Sequence, residues 1–148
     1  TVCGLSPRMR LDLSVNMLTI QALVNGRITV FGGAQTRPNI HVRDLVNVYR
    51  HFIHQDLPSG CYNAGFENLS ILEIAEYVNR VISAEIVVTE SNDPRSYRIN
   101  SDKLLATGFL PSLNVQIAIE EISEAFQAGK LKDKDESYNV KWMQGIFS

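Results

Sequence analysis

Arg37 and Arg95 are the side chains of this sequence whose type and setting best suit chemistry of recognition. Arg37 lies in the stretch Gly32-Gly33-Ala34-Gln35-Thr36-Arg37-Pro38-Asn39-Ile40-His41-Val42-Arg43-Asp44, which follows the apolar run Ile28-Thr29-Val30-Phe31. A glycine turn there would expose backbone, and Pro38 favours an extended conformation for Arg37 just before it. Arg95 sits in Asn92-Asp93-Pro94-Arg95-Ser96-Tyr97, a loop rich in turn formers. A guanidinium pairs with phosphate through two parallel, charge-assisted hydrogen bonds. Two such groups converging would neutralise a diphosphate.

Catalytic signatures are missing from the 148 residues. No Gly-x-Gly-x-x-Gly opens a helix after a strand, so the sequence carries no dinucleotide fingerprint. It has no phosphate-binding P-loop, Cys-x-x-Cys, His-Glu-x-x-His or serine nucleophile elbow. None of the tyrosines is followed four residues later by lysine. His51 and His54 have a spacing that metal sites use, but no acidic or cysteine partner has comparable placement. His41, at the extended entry to a helix, reads as a buried structural hydrogen-bonder. Cys3 and Cys61 read as small apolar residues near strands. We therefore expect no catalytic, cofactor-binding or metal-ligating residue within the chain.

Composition narrows the class. Hydrophobic residues at 45% and charged residues at 20% are the balance of a globular domain with a real core. A net charge of -2 provides no basic field for nucleic acid. No apolar run approaches the ~20 residues of a membrane span. The two cysteines suggest neither a metal pair nor a disulfide framework, so a reducing, cytoplasmic setting is expected. The opening Thr1-Val2-Cys3-Gly4 reads as the tail of a strand, as in a fragment of a longer protein.

The elements that would position the arginines follow from spacing. Leu11, Val15, Leu18, Ala22 and Leu23 predict a helix ending at Asn25-Gly26, with Asn16 near its start. Arg27–Phe31 reads as a strand and Pro38–Val42 as extended. Asp44 caps or enters a helix running to about His54, with Leu45, Val48, Tyr49 and Phe52 on one face. Cys61–Gly65 reads as a short strand. Ser70 and Glu73 form a capping box for a helix burying Ile71, Ile74, Ala75, Val78 and Ile82. Glu85–Thr89 is a strand, Ser101 caps a short helix, Asn114 caps the last long one, and Lys130–Glu136 is a solvated linker. The tail around Tyr138 is expected to pack back on the body. This alternation is α/β, with few short strands and several helices.

Gly-x-x-Gln-x-Arg-Pro-x-Ile-His-Val-x-Asp, read from Gly32 to Asp44, resembles the extended short-chain dehydrogenase/reductase family, the NAD-dependent nucleotide-sugar epimerases and dehydratases. Thr1-Val2-Cys3-Gly4, Ser6-Pro7-Arg8-Met9-Arg10, Val15-Asn16, Asp93–Tyr97, Asp102-Lys103-Leu104, Thr107-Gly108-Phe109 and Tyr138-Asn139-Val140 recur there in the same order. Cys3 stands where that family usually has tyrosine.

The resemblance implies the carboxy-terminal, substrate-binding subdomain of an extended Rossmann-type epimerase or dehydratase over residues 1–148. Its dinucleotide-binding part and its Tyr-x-x-x-Lys pair would be absent. It implies that Arg37 and Arg95 hold the diphosphate, that Asn16 donates to it, and that Thr29 (through its backbone) and Phe31 line the nucleobase. The parent family uses NAD; this chain alone would bind none and turn over no UDP- or dTDP-sugar. The partner would be a nucleotide-diphosphate sugar, with neither nucleic acid nor membrane, and exposed apolar faces would drive homo-oligomer formation. A free-standing, non-catalytic binding or interaction module is the alternative.

Overall fold

The structure, a computed structural model, describes residues 1–91 and 93–146, so Asn92 of the arginine loop lies outside the described residues. The strands are β1 (Val2–Cys3), β2 (Arg27–Phe31), β3 (Thr36–His41), β4 (Glu67–Ser70) and β5 (Glu85–Thr89). The α-helices are α1 (Ser14–Asn25), α2 (Val42–His54), α3 (Ile71–Val81), α4 (Asp102–Leu105), α5 (Val115–Gln127) and α6 (Asn139–Ile146). One sheet has the order β1-β3-β4, with β3 parallel to β1 and antiparallel to β4. The second pairs β2 with β5 in parallel, Arg27 opposite Glu85 and Phe31 opposite Thr89. The expected α/β fold of few short strands and several helices is the fold observed.

The main core lies where α1, α3 and α5 meet the inner face of β2. Val15, Leu18, Ile28, Val30, Ile74, Val78, Val115 and Ile119 form one buried cluster. Alternation along β2 turns Ile28 and Val30 inward and leaves Thr29 and Phe31 on the opposite face. A smaller cluster around Ile40, Val48, Leu104 and Phe109 seats α2 and α4.

Helix ends follow local chemistry. Gly26 takes φ 62° and its N–H donates to Ala22 O, the left-handed stop that glycine permits. Ser70 and Glu73 form the expected capping box, and Asn114 Oδ1 accepts from Ile117 N.

Several expectations are corrected. Helix α2 starts at Val42, and His41 caps it: its ring Nδ1 accepts from Arg43 N. Asp44 lies in the first turn, one of the two placements expected, and is wholly buried, where its carboxylate accepts from Ser112 N (3.0 Å), Ser112 Oγ (2.9 Å) and Leu113 N (2.8 Å). Tyr49, Val46 and Ile53 form an exposed apolar stripe on α2 rather than part of its buried face. Cys61–Gly65 is irregular; the strand is β4, selected by β3, which pairs Thr36 with Ser70 and Asn39 with Glu67. Ser101 Oγ bonds the backbone of Gly65 in place of capping α4. Cys3 is buried, whereas Cys61 is exposed. Tyr138 packs near Met9 and Leu11, and Leu11 N donates to Ser137 O, but α6 exposes Val140, Trp142, Met143 and Ile146.

Asp44 ties α2 to the segment that opens α5. Asp44→Ala removes the acceptor for two backbone donors and a hydroxyl, and should destabilise the fold by about 2–3 kcal/mol. Urea denaturation of the variant against the parent chain measures this directly.

Candidate functional site

Strand β3 puts Arg37 second in its run, and the 93–97 loop lies along that end of the strand. Thr36 N donates to Ser96 Oγ (3.0 Å), and Tyr97 N donates to Thr36 O (3.2 Å). These bonds bring Arg95 to Arg37 across 58 positions of sequence. Arg37 Nη1 donates to the Arg95 carbonyl and to Thr36 O (3.0 Å), and its guanidinium lies 5.4 Å from the Tyr97 ring centre.

A carboxylate joins the two arginines. Arg95 grips Asp93 with both forks, Nε to Oδ1 at 2.7 Å and Nη2 to Oδ2 at 2.8 Å. Arg37 Nη2 approaches the same Oδ2 at 3.4 Å. The Arg95 guanidinium, reinforced by the Arg95 N–H, pulls the Asp93 carboxyl down to about 2. The Arg37 side chain is 14% exposed and that of Arg95 is 77% exposed. Sequence reasoning passed over Asp93 as a turn former; its spacing of two from Arg95 in a turn was the available signal.

The glycine turn does a different job from the one expected. Gly32 and Gly33 take φ 78° and 97°, but their amides are already used. Gly32 N donates to Thr89 O, and Gly33 N donates to Phe31 O and to Gln35 Oε1 (2.8 Å). Gln35 Nε2 closes the turn onto Phe31 O. The turn therefore shapes the path from β2 to β3 and leaves neither glycine N–H free for an anion.

Thr29 and Phe31 share the outward face of β2. Phe31 is 58% exposed, and the Thr29 N–H donates to Gln21 Oε1 (3.1 Å), so that amide is already engaged. Asn16 is buried on α1, where Oδ1 accepts from Gly4 N (3.1 Å) and Nδ2 donates to Arg10 O (2.9 Å). It borders a cavity of about 300 Å³ with Cys3, Gly4, Ser6, Arg10 and Val42. Among the described residues no hydrogen bond links Asn16 to either arginine. Burial pushes the Cys3 thiol up to about 12, so it borders this cavity as a neutral group.

His41 is structural, as expected. Because Nδ1 accepts from Arg43 N, the ring proton sits on Nε2, which donates to Glu121 Oε2 (3.2 Å). Arg43 also pairs with Glu121. His51 bonds Thr107 Oγ1 (2.9 Å) and packs edge-on to Phe109. No group of three potential metal ligands occurs among the described residues, and no helix is long and apolar enough to cross a membrane.

No protein-family model matches the chain. Solved structures do. UDP-glucuronic acid 4-epimerase from Bacillus cereus, in complex with UDP-glucuronic acid and NAD, superposes with a TM-score of 0.71 at 23% identity, over 86% of this chain and 43% of its own. dTDP-glucose 4,6-dehydratase from Bacillus anthracis, in complex with NAD, gives 0.72 at 18%, over 95% and 45%. UDP-N-acetylglucosamine 4-epimerase from Bacillus cereus gives 0.70 at 20%, over 90% and 46%. The chain has the fold of one part of these enzymes. It spans less than half the length of each, and the fold implied by the sequence resemblance is the one found.

The Gly32-Gly33 turn does not fit a dinucleotide. A Rossmann site needs glycine amides free at the start of a helix. Here Gly32-Gly33 lead into β3, and their N–H groups are engaged.

Burial, then the neighbouring Arg43 charge, lowers the His41 pKa. The folded state therefore holds the neutral ring while the unfolded chain takes up a proton below about pH 6.5. Stability should be full above that pH and be lost as pH falls through the depressed folded value. Urea midpoints at pH 7.5 and 5.5 should drop more for the parent chain than for His41→Gln.

Proposed function

We propose that this chain is the nucleotide-sugar-binding portion of an NAD-dependent sugar-nucleotide epimerase or dehydratase, with residues 1–148 as its carboxy-terminal substrate-binding part. The observation that carries this reading is the meeting of Arg37 and Arg95 on a single carboxylate. One anion lies within reach of both guanidiniums. A diphosphate has the charge and the paired oxygens to take that place.

The fold supports it, since the epimerase that superposes on this chain is described in complex with UDP-glucuronic acid. Phe31, exposed at the end of β2, offers a face for a nucleobase, and Thr29, two residues earlier on the strand, would line it through its backbone. Asn16 contributes from the cavity at β1, where its amide also fixes Gly4.

In this role the chain binds and orients substrate and carries no proton or hydride transfer of its own. NAD would supply the oxidation and return of hydride in the parent reaction, and the Gly32-Gly33 turn here offers it no free amide. The isolated chain is accordingly inactive. A binding module without catalysis, the alternative, is separated by the coding sequence upstream of Thr1. An in-frame Gly-x-x-Gly-x-x-Gly and Tyr-x-x-x-Lys establish the enzyme; a start codon beside Thr1 establishes the module.

Calorimetric titration with UDP and dTDP tests the site. Arg37→Ala should weaken binding by about 1.5–3 kcal/mol, the scale of a hydrogen bond to a charged group; unchanged affinity removes Arg37 from it. The α2 stripe of Val46, Tyr49 and Ile53 and the apolar side chains of α6 should also drive self-association. Light scattering should give a mass above 16.6 kDa that rises with concentration; a concentration-independent monomer mass contradicts it.

A further inference from the structure

Recognition of a diphosphate requires cationic groups, yet the loop that delivers Arg95 also delivers Asp93 to the same spot. The local sum is two guanidinium charges against one carboxylate, leaving a single positive charge. Asp93 uses both of its oxygens on the arginines, and its pairing with Arg95 is bidentate. That is the geometry in which Arg95 would hold phosphate.

The two arginines differ in what else holds them. Arg37 has Thr36 O, Arg95 O and the Tyr97 ring as further partners. Arg95 is largely exposed, and its described side-chain contacts are with Asp93.

We infer that Asp93 is an intramolecular competitor for the diphosphate: it occupies the anion-binding faces of Arg95 and Arg37, and a docking nucleoside diphosphate displaces it. This rests on the proposed nucleotide-diphosphate site. Displacement costs the Asp93–Arg95 pair and returns two ligand contacts, so Asp93 sets the affinity of the site below what two free arginines would give. Because the carboxylate shields the pair, it also weakens attraction for singly charged anions.

Asp93→Asn separates charge from loop shape. Asp93 Oδ1 also accepts from Arg95 N (3.1 Å), a local turn that an asparagine oxygen can keep. UDP is the probe, titrated calorimetrically into the parent chain, Asp93→Asn, Arg95→Ala and the double variant, each checked for native circular dichroism. Removing one competing surface charge should tighten UDP binding by about three- to tenfold. The gain should shrink in the Arg95→Ala background, where only the longer Arg37 contact with Asp93 (3.4 Å) is left to liberate. Equal or weaker binding by Asp93→Asn overturns the inference, because Asp93 would then be positioning the arginines. So does a gain that is undiminished in Arg95→Ala. If neither the parent chain nor Asp93→Asn binds UDP, the nucleotide-diphosphate site falls, and this inference with it.

Discussion

The backbone of β3 is satisfied from both sides, and that requirement decides where the neighbouring segments lie. One edge faces β4, with Thr36 opposite Ser70 and Asn39 opposite Glu67. The other edge is shared. At its start Thr36 N reaches Ser96 and Thr36 O takes Tyr97 N; at its end Ile40 N donates to Thr1 O in the pairing with β1. Between them stands Pro38, whose ring nitrogen has no hydrogen to offer. Residues 36, 38 and 40 point their nitrogens the same way along an extended strand. Pro38 therefore falls at the one place on that edge where the flank changes from loop to strand, and no donor is stranded. Proline inside a sheet is otherwise confined to edges and bulges.

The site is a consequence of that junction. The loop from Asp93 to Tyr97 can occupy the first part of the β3 edge because β1 pairs only at Ile40 and His41. Once there, Ser96 and Tyr97 are fixed by main-chain partners, and the intervening chain has little freedom in where it places Arg95. The far end of the strand has its own anchor. His41 turns from strand to cap in one residue, and Asp44 in the first turn of α2 holds the chain before α5. Burial of a carboxylate is tolerated there because three donors converge on it. Glu67 on β4 makes a related tie, accepting from Val115 N at 2.7 Å, although burial raises its pKa.

What could be read from the sequence was what local chemistry decides. Gly26, the Ser70–Glu73 box and Asn114 end or start helices through partners within four residues, and each was legible. Strand β2 was legible because Ile28 and Val30 alternate with outward residues. Strand β4 was not: Glu67-Asn68-Leu69-Ser70 has weak strand preference and is strand because β3 lies beside it. Cys61–Gly65 looked more like a strand and is held by Ser101 and Lys103 side chains instead. The arginine pair could be named from motifs that resemble a family, but not its carboxylate partner. Asp93 looks the same in sequence whether its side chain caps a turn or bridges two guanidiniums. The free amides expected of Gly32-Gly33 failed for a similar reason, since Gln35 and Thr89 claim them.

The unequal anchoring of the two arginines has a consequence for the proposed anion site. Ordering a free arginine side chain costs up to about 2 kcal/mol of rotamer entropy. Arg37 has met most of that cost in folding, because two carbonyls and the Tyr97 ring already fix its fork. It can contribute its charge to an anion with little further loss. Arg95 is solvated and held mainly by Asp93, so its freedom is limited by one exposed ion pair, a contact that solvent screens. A rigid inner arginine gives position, and an outer one that can exchange partners gives access. Two equally buried guanidiniums would need an anion present to be stable at all, and two equally exposed ones would leave all the ordering to the ligand.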